Sequence, residues 1–260
     1  MPDVMEGKSV LITGARNKWS IAWHAALSLQ REGARIAFSV FGEREEGAVR
    51  KLIADTPLES SPIFHCDATQ IDQVTTMMDA VGKVFDGYLD GLLHGMAFAK
   101  TEELSGEYIA TSQDGFALAN NASVYTLLSL ARAARSLMRE NGGSIVTLTY
   151  LGAERVVPRY NVMGVAKAAL EASVRYLAAD LGPEQIRVNA VSAGPIKTLA
   201  AGAISGFDSM IQTVSDRSPM RRAVGADEVG DAVLFLMSKW SRGITGETLY
   251  VDAGYNIMGL

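Results

Sequence analysis

Three side chains with acid–base capacity fall within residues 150–167, YLGAERVVPRYNVMGVAK: Tyr150, Tyr160 and Lys167. A phenol can donate a hydrogen bond to an oxygen that gains negative charge, and a nearby ammonium group stabilises that charge. Tyr160 stands seven residues before Lys167. In a helix that spacing returns to nearly the same face after two turns, so the two groups could line one side of a common pocket. Tyr150 lies ten residues further back, and whether it joins them depends on the fold. Position 163, four residues before Lys167, is a methionine. His94 also has acid–base capacity. No carboxylate or second histidine stands close to it in sequence to tune it, so it reads as a structural histidine.

These groups must be positioned by the elements around them. KSVLIT (8–13) is a short apolar run ending at Gly14, and SIAWHAALSLQREG (20–33) follows with helical spacing and a glycine stop. ARIAFSV (34–40) predicts a second strand, and EREEGAVRKLIAD (43–55) a charged, exposed helix. The alternation continues with a strand at 61–66, a helix at 70–85, a strand at 90–95 and one long helix over about 114–140. GSIVTLTY (143–150) predicts a fifth strand, residues 160–182 a long helix and IRVNAVSAG (186–194) a sixth strand, with ETLYVDAG (247–254) closing the sheet. This alternation predicts an α/β, Rossmann-like, doubly wound fold: a seven-stranded, mostly parallel sheet with helices on both faces. No linker, repeat or low-complexity tract interrupts it, so residues 1–260 read as one dinucleotide-binding domain.

Composition narrows the function classes. Lys plus Arg total 24 against 29 Asp plus Glu, a net charge of -5, which gives no steering toward nucleic acid or an anionic membrane. The single cysteine, Cys66, leaves no internal disulfide framework and fits a reducing cytoplasm. The start, MPDVMEGKSVLITG, lacks the basic and long apolar regions of a signal peptide, and no apolar run approaches the roughly 20 residues of a membrane span. The expectation is a soluble cytoplasmic protein with no metal site. A hydrophobic content of 48% hints at buried subunit contacts.

In an open α/β sheet, ligands bind beyond the carboxyl ends of the strands, where the first turn and helix N-terminus can hold a pyrophosphate. Here that turn is TGARNKWSIAW, with Gly14, Ser20, Ile21 and Ala22. Ser20 is placed to cap the helix and to face a phosphate, or else the turn is an ordinary capped one. Phe41 ends the second strand where an acidic residue would meet the adenosine ribose; it packs on adenine or closes the core, and Glu43 or Arg44 is left to reach the ribose. The lack of a basic pair for a 2′-phosphate points to NADH, with NADPH as the alternative. Asp67 and Ala68 follow the third strand, Asp67 as an acceptor from the adenine amino group or as a helix cap. Gly95 at the fourth strand would allow close approach of backbone to cofactor.

The Tyr-x6-Lys pair of Tyr160 and Lys167, Tyr150 in YLGAER, the Gly-x5-Ser-x-Ala pattern of Gly14, Ser20 and Ala22, and RVNAVSAGPIKTLAA together resemble the short-chain dehydrogenase/reductases. Within that superfamily they resemble the bacterial NADH-dependent enoyl-acyl-carrier-protein reductases, and the resemblance runs nearly end to end, through ITGETLYVDAGYNIMG. Most short-chain reductases carry Tyr-x3-Lys, where this chain has Met163.

The resemblance implies reduction of the 2,3 double bond of a trans-2-enoyl thioester in fatty acid biosynthesis. Tyr150, Tyr160 and Lys167 are the implied catalytic group. Tyr160 donates to the thioester oxygen, Lys167 holds the nicotinamide ribose, and Tyr150 contacts substrate at the mouth of the site. The implied cofactor contacts are Gly14, Ser20, Ile21, Phe41, Asp67, Ala68, Gly95, Met96, Lys167, Ile196 and Thr198. The implied substrate contacts are Ala99, Tyr150, Tyr160 and Phe207, with a lid over about 197–212. Met96 and Ala97 replace a smaller family turn and would tighten the pocket. An acidic acyl carrier protein implies a basic docking patch, for which Arg155, Arg159, Lys197, Arg221 and Arg222 are candidates, and the family implies a homotetramer. Two other readings stand beside this one: a short-chain reductase of another activated alkene or a carbonyl, and a non-catalytic NAD-binding paralogue.

Overall fold

The first strand, β1 (Ser9–Thr13), is buried along its whole length, as an apolar strand covered on both faces must be. The computed structural model describes residues 4–196 and 207–259. After β1 come α1 (Ile21–Arg31), β2 (Arg35–Val40), α2 (Glu43–Ile53), β3 (Ile63–His65), α3 (Ile71–Val84) and β4 (Gly91–His94). The second half holds α4 (Gln113–Asn120), α5 (Thr126–Met138), β5 (Gly143–Thr149), α6 (Asn161–Leu181), β6 (Ile186–Ala193), α7 (Phe207–Arg217), α8 (Ala226–Met237) and β7 (Thr248–Val251).

The seven strands form one sheet in the order β3-β2-β1-β4-β5-β6-β7. Every pairing is parallel. The chain leaves β1 in one direction for β2 and β3 and returns on the other side for β4, so the topological switch point lies between β1 and β4. Successive residues of β1 feed opposite faces. Val10 and Ile12 pack with α1 and α8 residues such as Leu29 and Val233. Leu11 packs with Met77 of α3, Leu130 of α5 and Leu170 of α6.

The switch point is built by backbone contact. Gly14 has φ +82°, and a Cβ there would lie 2.1 Å from the carbonyl oxygen of Gly95; a Cβ on Gly95 would lie 2.6 Å from that of Thr13. Both positions therefore exclude a side chain. Gly95, expected to admit the cofactor, admits β1 first.

Three elements differ from the sequence reading. The helix expected over 114–140 is α4 and α5 joined by a π turn at Asn121–Tyr125, so its face is rotated partway along. Tyr160 occupies the N-cap of α6 instead of its first turn. α8 has no counterpart in the reading, although it carries a buried stripe of Val229, Val233, Leu234, Leu236 and Met237 opposite the exposed Asp227 and Asp231; its start is held by Glu228, whose carboxylate accepts from the Gly225 amide at 2.9 Å. Of the expected lid, residues 197–206 lie outside the described residues and 207–212 open α7.

Candidate active site

A cavity of about 610 Å³ opens at the carboxyl ends of the first four strands and reaches Leu148 of β5. The loop after β1 forms its floor with Gly14, Arg16, Asn17 and Ser20, and α1 begins there with Ile21 and Ala22. Ser20 stands at the N-cap but makes no side-chain capping bond. Its hydroxyl turns back and donates to the Asn17 carbonyl at 2.7 Å, which corrects the expected capping role. The first turn of α1 carries no acidic residue either. The positive end of the helix thus meets the cavity uncompensated, the electrostatics an anion requires.

The remaining walls suit the rest of a dinucleotide. Phe41 is 69% exposed although it ends a buried strand, and its ring lines the cavity beside Ala68. Asp67 also lines it, but its carboxylate accepts from the amide and hydroxyl of Thr69 at 3.0 and 2.7 Å, a local turn and not a helix cap. On the far side lie Gly95, Met96, Ala97 and Phe98, with Leu118, Ala122 and Thr126 spaced along α4, the π turn and α5. Room, an open helix start and flat apolar walls together fit a nicotinamide dinucleotide.

Tyr150 and Tyr160 meet edge to face with ring centroids 5.1 Å apart. β5 and the short turn at Leu151–Ala153 carry the first ring, and the start of α6 carries the second. Gly152 makes room between them, since a Cβ there would lie 2.5 Å from the Tyr160 ring. Burial raises the Tyr150 phenol to about 12, and its hydroxyl donates to the Met210 sulfur of α7 at 3.3 Å. Burial, then the neighbouring Tyr150, also holds the Tyr160 phenol above its ordinary range, so both rings stay protonated at neutral pH.

Lys167 is buried, and its Nζ donates to the Leu148 carbonyl at 2.7 Å, directly behind the cavity wall. Burial lowers its pKa to about 8, with partial relief from Glu171. No hydrogen bond among the described residues joins Tyr160 to Lys167, and Tyr150, Tyr160 and Lys167 are not among the residues that line the cavity. His94 is fully buried, with Nδ1 2.8 Å from the Thr147 hydroxyl and Nε2 2.9 Å from that of Thr126. Each threonine hydroxyl also reaches a carbonyl, Thr126 that of Ala122 at 3.0 Å and Thr147 that of His94 at 3.2 Å, so the ring is held within a closed polar network. Burial first, then Lys167, drives its pKa to about 3, so the ring is neutral and fully bonded, a structural histidine.

Of the expected cofactor contacts, Gly14, Ser20, Ile21, Phe41, Asp67, Ala68, Gly95 and Met96 line this cavity. Ile196 packs against the core on the α1 side, and Thr198 lies outside the described residues. Ala99 packs with Tyr160 around Met163 and Val162, next to the cavity end, whereas the side chain of Phe207 lies outside the described residues. Met163, in place of a tyrosine, is buried with its sulfur 3.9 Å from the Ser123 hydroxyl.

Two charged cavity residues went unassigned in the sequence reading, Arg16 and Glu45; Glu43 and Arg44, offered there for the ribose, are not among the lining residues. Glu45 shows no signal in a charged helix start, where three glutamates are equivalent until the helix is placed. Among the candidate docking residues, Arg222 is paired with Glu228 at 2.6 Å and Arg155 donates to the carbonyls of Asn256 and Met258. Cys66 lines the cavity, but burial raises its thiol to about 11 and leaves it a poor nucleophile. No group of three His, Cys, Asp or Glu among the described residues could hold a metal ion, and no helix among them is long and apolar enough to cross a membrane.

Comparison with known proteins agrees with this geometry. A family model described as enoyl-(acyl carrier protein) reductase matches residues 14–256. The chain is 51% identical over 253 residues to the enoyl-[acyl-carrier-protein] reductase [NADH] FabI of Bacillus subtilis, covering 97% of each chain. It is 47% identical to the Bacillus cereus protein of the same name, covering 99% of this chain and 100% of that one. The crystal structure of the Bacillus cereus reductase with NADP+ and indole naphthyridinone superposes with a TM-score of 0.96 at 47% identity, covering 99% of both chains. The reductase from Anaplasma phagocytophilum in complex with NAD gives 0.94 at 44% identity, covering 99% of this chain and 97% of that one. The family model, the relatives and the solved structures agree over nearly the whole chain: the chain belongs to the enoyl-(acyl carrier protein) reductase family of the short-chain dehydrogenase/reductase superfamily.

Proposed function

We propose that the chain, as one catalytic domain, reduces the 2,3 double bond of trans-2-enoyl thioesters carried on acyl carrier protein, with NADH as reductant, in fatty acid biosynthesis. The observation that carries the reading is the edge-to-face pair of Tyr150 and Tyr160, with Tyr150 bonded to Met210 of α7 and Lys167 buried behind the cavity wall at Leu148. Gly14, Ile21, Phe41, Asp67, Ala68, Gly95 and Met96 would hold the dinucleotide, with Lys167, Ile196 and Thr198 at its nicotinamide end. When bound, NADH supplies the hydride that adds to the β-carbon of the substrate.

That addition leaves an enolate with its negative charge on the thioester oxygen; as the carbonyl re-forms, a proton added at the α-carbon completes the reduction. Tyr160, kept protonated by burial, donates a hydrogen bond to this oxygen. Lys167 places positive charge near the same oxygen and orients the cofactor ribose, so both groups act most strongly when the oxyanion has formed. Tyr150 and Ala99 border the acyl chain, with Phe207 and Met210 at the lid. A carbonyl reductase needs its phenol one helical turn before the lysine, and here Met163 fills that place with a buried thioether.

The proposed partner is an acyl carrier protein, the proposed assembly a homotetramer and the proposed compartment the cytoplasm. The test is to follow NADH absorbance with a trans-2-enoyl thioester in the native chain and in Lys167→Ala. Turnover by the native chain and none by the variant is expected. A native chain that binds NADH but reduces no enoyl thioester would end the proposal.

A further inference from the structure

At the adenosine end of the cavity two opposite charges face each other. Arg16, in the loop after β1, places Nη2 3.4 Å from Oε1 of Glu45 in the first turn of α2. Both line the cavity, beside Ser39, Val40 and Phe41 at the carboxyl end of β2. The arginine side chain is 60% exposed and the glutamate 21%. The other charges nearby are turned elsewhere: Glu46 is engaged by Arg50 and His65, and neither Glu43 nor Arg44 reaches the lining.

The end of the second strand is where a dinucleotide fold reads the adenosine ribose. A carboxylate there accepts from the 2′-hydroxyl, and an arginine there accommodates a 2′-phosphate. This chain holds both, in contact with each other. We infer that Glu45 is the residue that sets the preference for NADH over NADPH, and that Arg16 is a latent 2′-phosphate ligand which Glu45 occupies and screens. The inference rests on the nicotinamide-dependent reading above.

The chemistry follows from charge. Glu45 sits in the first turn of α2, and its carboxylate puts negative charge at the cavity wall. Its carboxylate accepts from a ribose hydroxyl at no electrostatic cost. A 2′-phosphate carries nearly two negative charges of its own, so it is repelled by Glu45 and must also draw Arg16 away from it. The exposed ion pair holds Arg16 only weakly. Removing the negative charge of Glu45 should therefore both end the repulsion and release the guanidinium for a bidentate phosphate contact.

The test is calorimetric titration of the substrate-free protein with NADH and NADPH, for the native chain, Glu45→Gln and the double variant Glu45→Gln/Arg16→Ala. Glu45→Gln is expected to tighten NADPH by about tenfold or more, through loss of a close like-charge contact, while NADH changes by a few-fold at most. Adding Arg16→Ala should remove the part of the NADPH gain that the released guanidinium supplies, keep the part due to lost repulsion and leave NADH binding in place, which also shows that the protein is folded. An unchanged ratio of the two dissociation constants in Glu45→Gln, or equal weakening of both, would overturn the inference while leaving the enoyl reductase reading intact. If the native chain binds neither nucleotide, that reading itself fails.

Discussion

Lys167 and Glu171, one turn apart on α6, fasten the same strand end: Lys167 donates to the Leu148 carbonyl at 2.7 Å, and Glu171 accepts from the Thr149 hydroxyl at 2.7 Å. Both side chains are buried, at 6% and 7% exposure. Burial lowers the lysine pKa and raises that of the glutamate, and each charge partly offsets the shift of the other. Tyr150 follows Thr149 directly, so this clasp also fixes where the first phenol emerges.

Glu171→Ala should therefore cost stability and activity together. It leaves the Thr149 hydroxyl without its acceptor, a loss of about 1–3 kcal/mol for a buried polar group. Glu171→Gln keeps an acceptor oxygen but not the charge, so it should restore most of the stability while moving the Lys167 titration to lower pH. Thermal unfolding and a pH profile separate the two effects. A Gln variant whose pH profile matches the native one would show that the carboxylate does not act on Lys167.

Tyr160→Phe keeps the ring against Tyr150 and Gly152 and removes only the hydroxyl. The fold should be unaffected, and kcat should fall by about 100-fold or more, the usual cost of losing one oxyanion donor. Separate measurement of kcat and KM decides it. Activity within a factor of two would remove Tyr160 from the chemistry.

Lys167 gives a pH signature of definite sign. Its pKa is about 8 in the folded chain against the ordinary 10.5. The unfolded chain therefore binds more protons between these values, and the contribution of this group to stability rises with pH across that window. Catalysis runs the other way: kcat/KM, which reports the free enzyme, should fall as pH rises through about 8, because the ammonium is lost. The raised tyrosine pKa values oppose the stability gain only above the ordinary phenol value of 10, where the unfolded chain loses those protons first. Urea midpoints and kcat/KM in steps of pH would show opposite slopes; an activity plateau extending to pH 10 would contradict the role of Lys167.

Gly95→Ala tests the switch point. The added methyl would lie 2.6 Å from the Thr13 carbonyl oxygen, backbone that cannot move without shifting β1. A loss of about 1–3 kcal/mol is expected, as for overpacking a buried site, together with weaker NADH binding. Denaturant unfolding and dinucleotide titration would both detect it, and a native midpoint would mean that the β1 and β4 ends tolerate separation.

The alternation of apolar runs with amphipathic helices determined the parallel sheet, because a strand covered on both faces must be apolar throughout and a crossover helix must show one apolar stripe. It determined the cavity wall as well, since Gly14, Phe41, Asp67 and Gly95 stand just after strands and Ser20 starts the first helix, and in this fold strand ends converge on one cavity. The Tyr160 and Lys167 spacing was legible as two points on one helix, but Tyr160 takes the N-cap, where its ring is set by Tyr150 and Gly152 and not by the helical face. α8 was legible in the same way, since Val229, Val233, Leu234 and Met237 form an apolar stripe opposite Asp227 and Asp231, yet the reading passed over it. Contacts between distant segments were beyond one-dimensional pattern altogether. That Arg16 faces Glu45, that Glu171 is buried against Thr149, and that Gly95 is required by β1 depend on side chains and backbone brought together by packing, which only the tertiary structure decides.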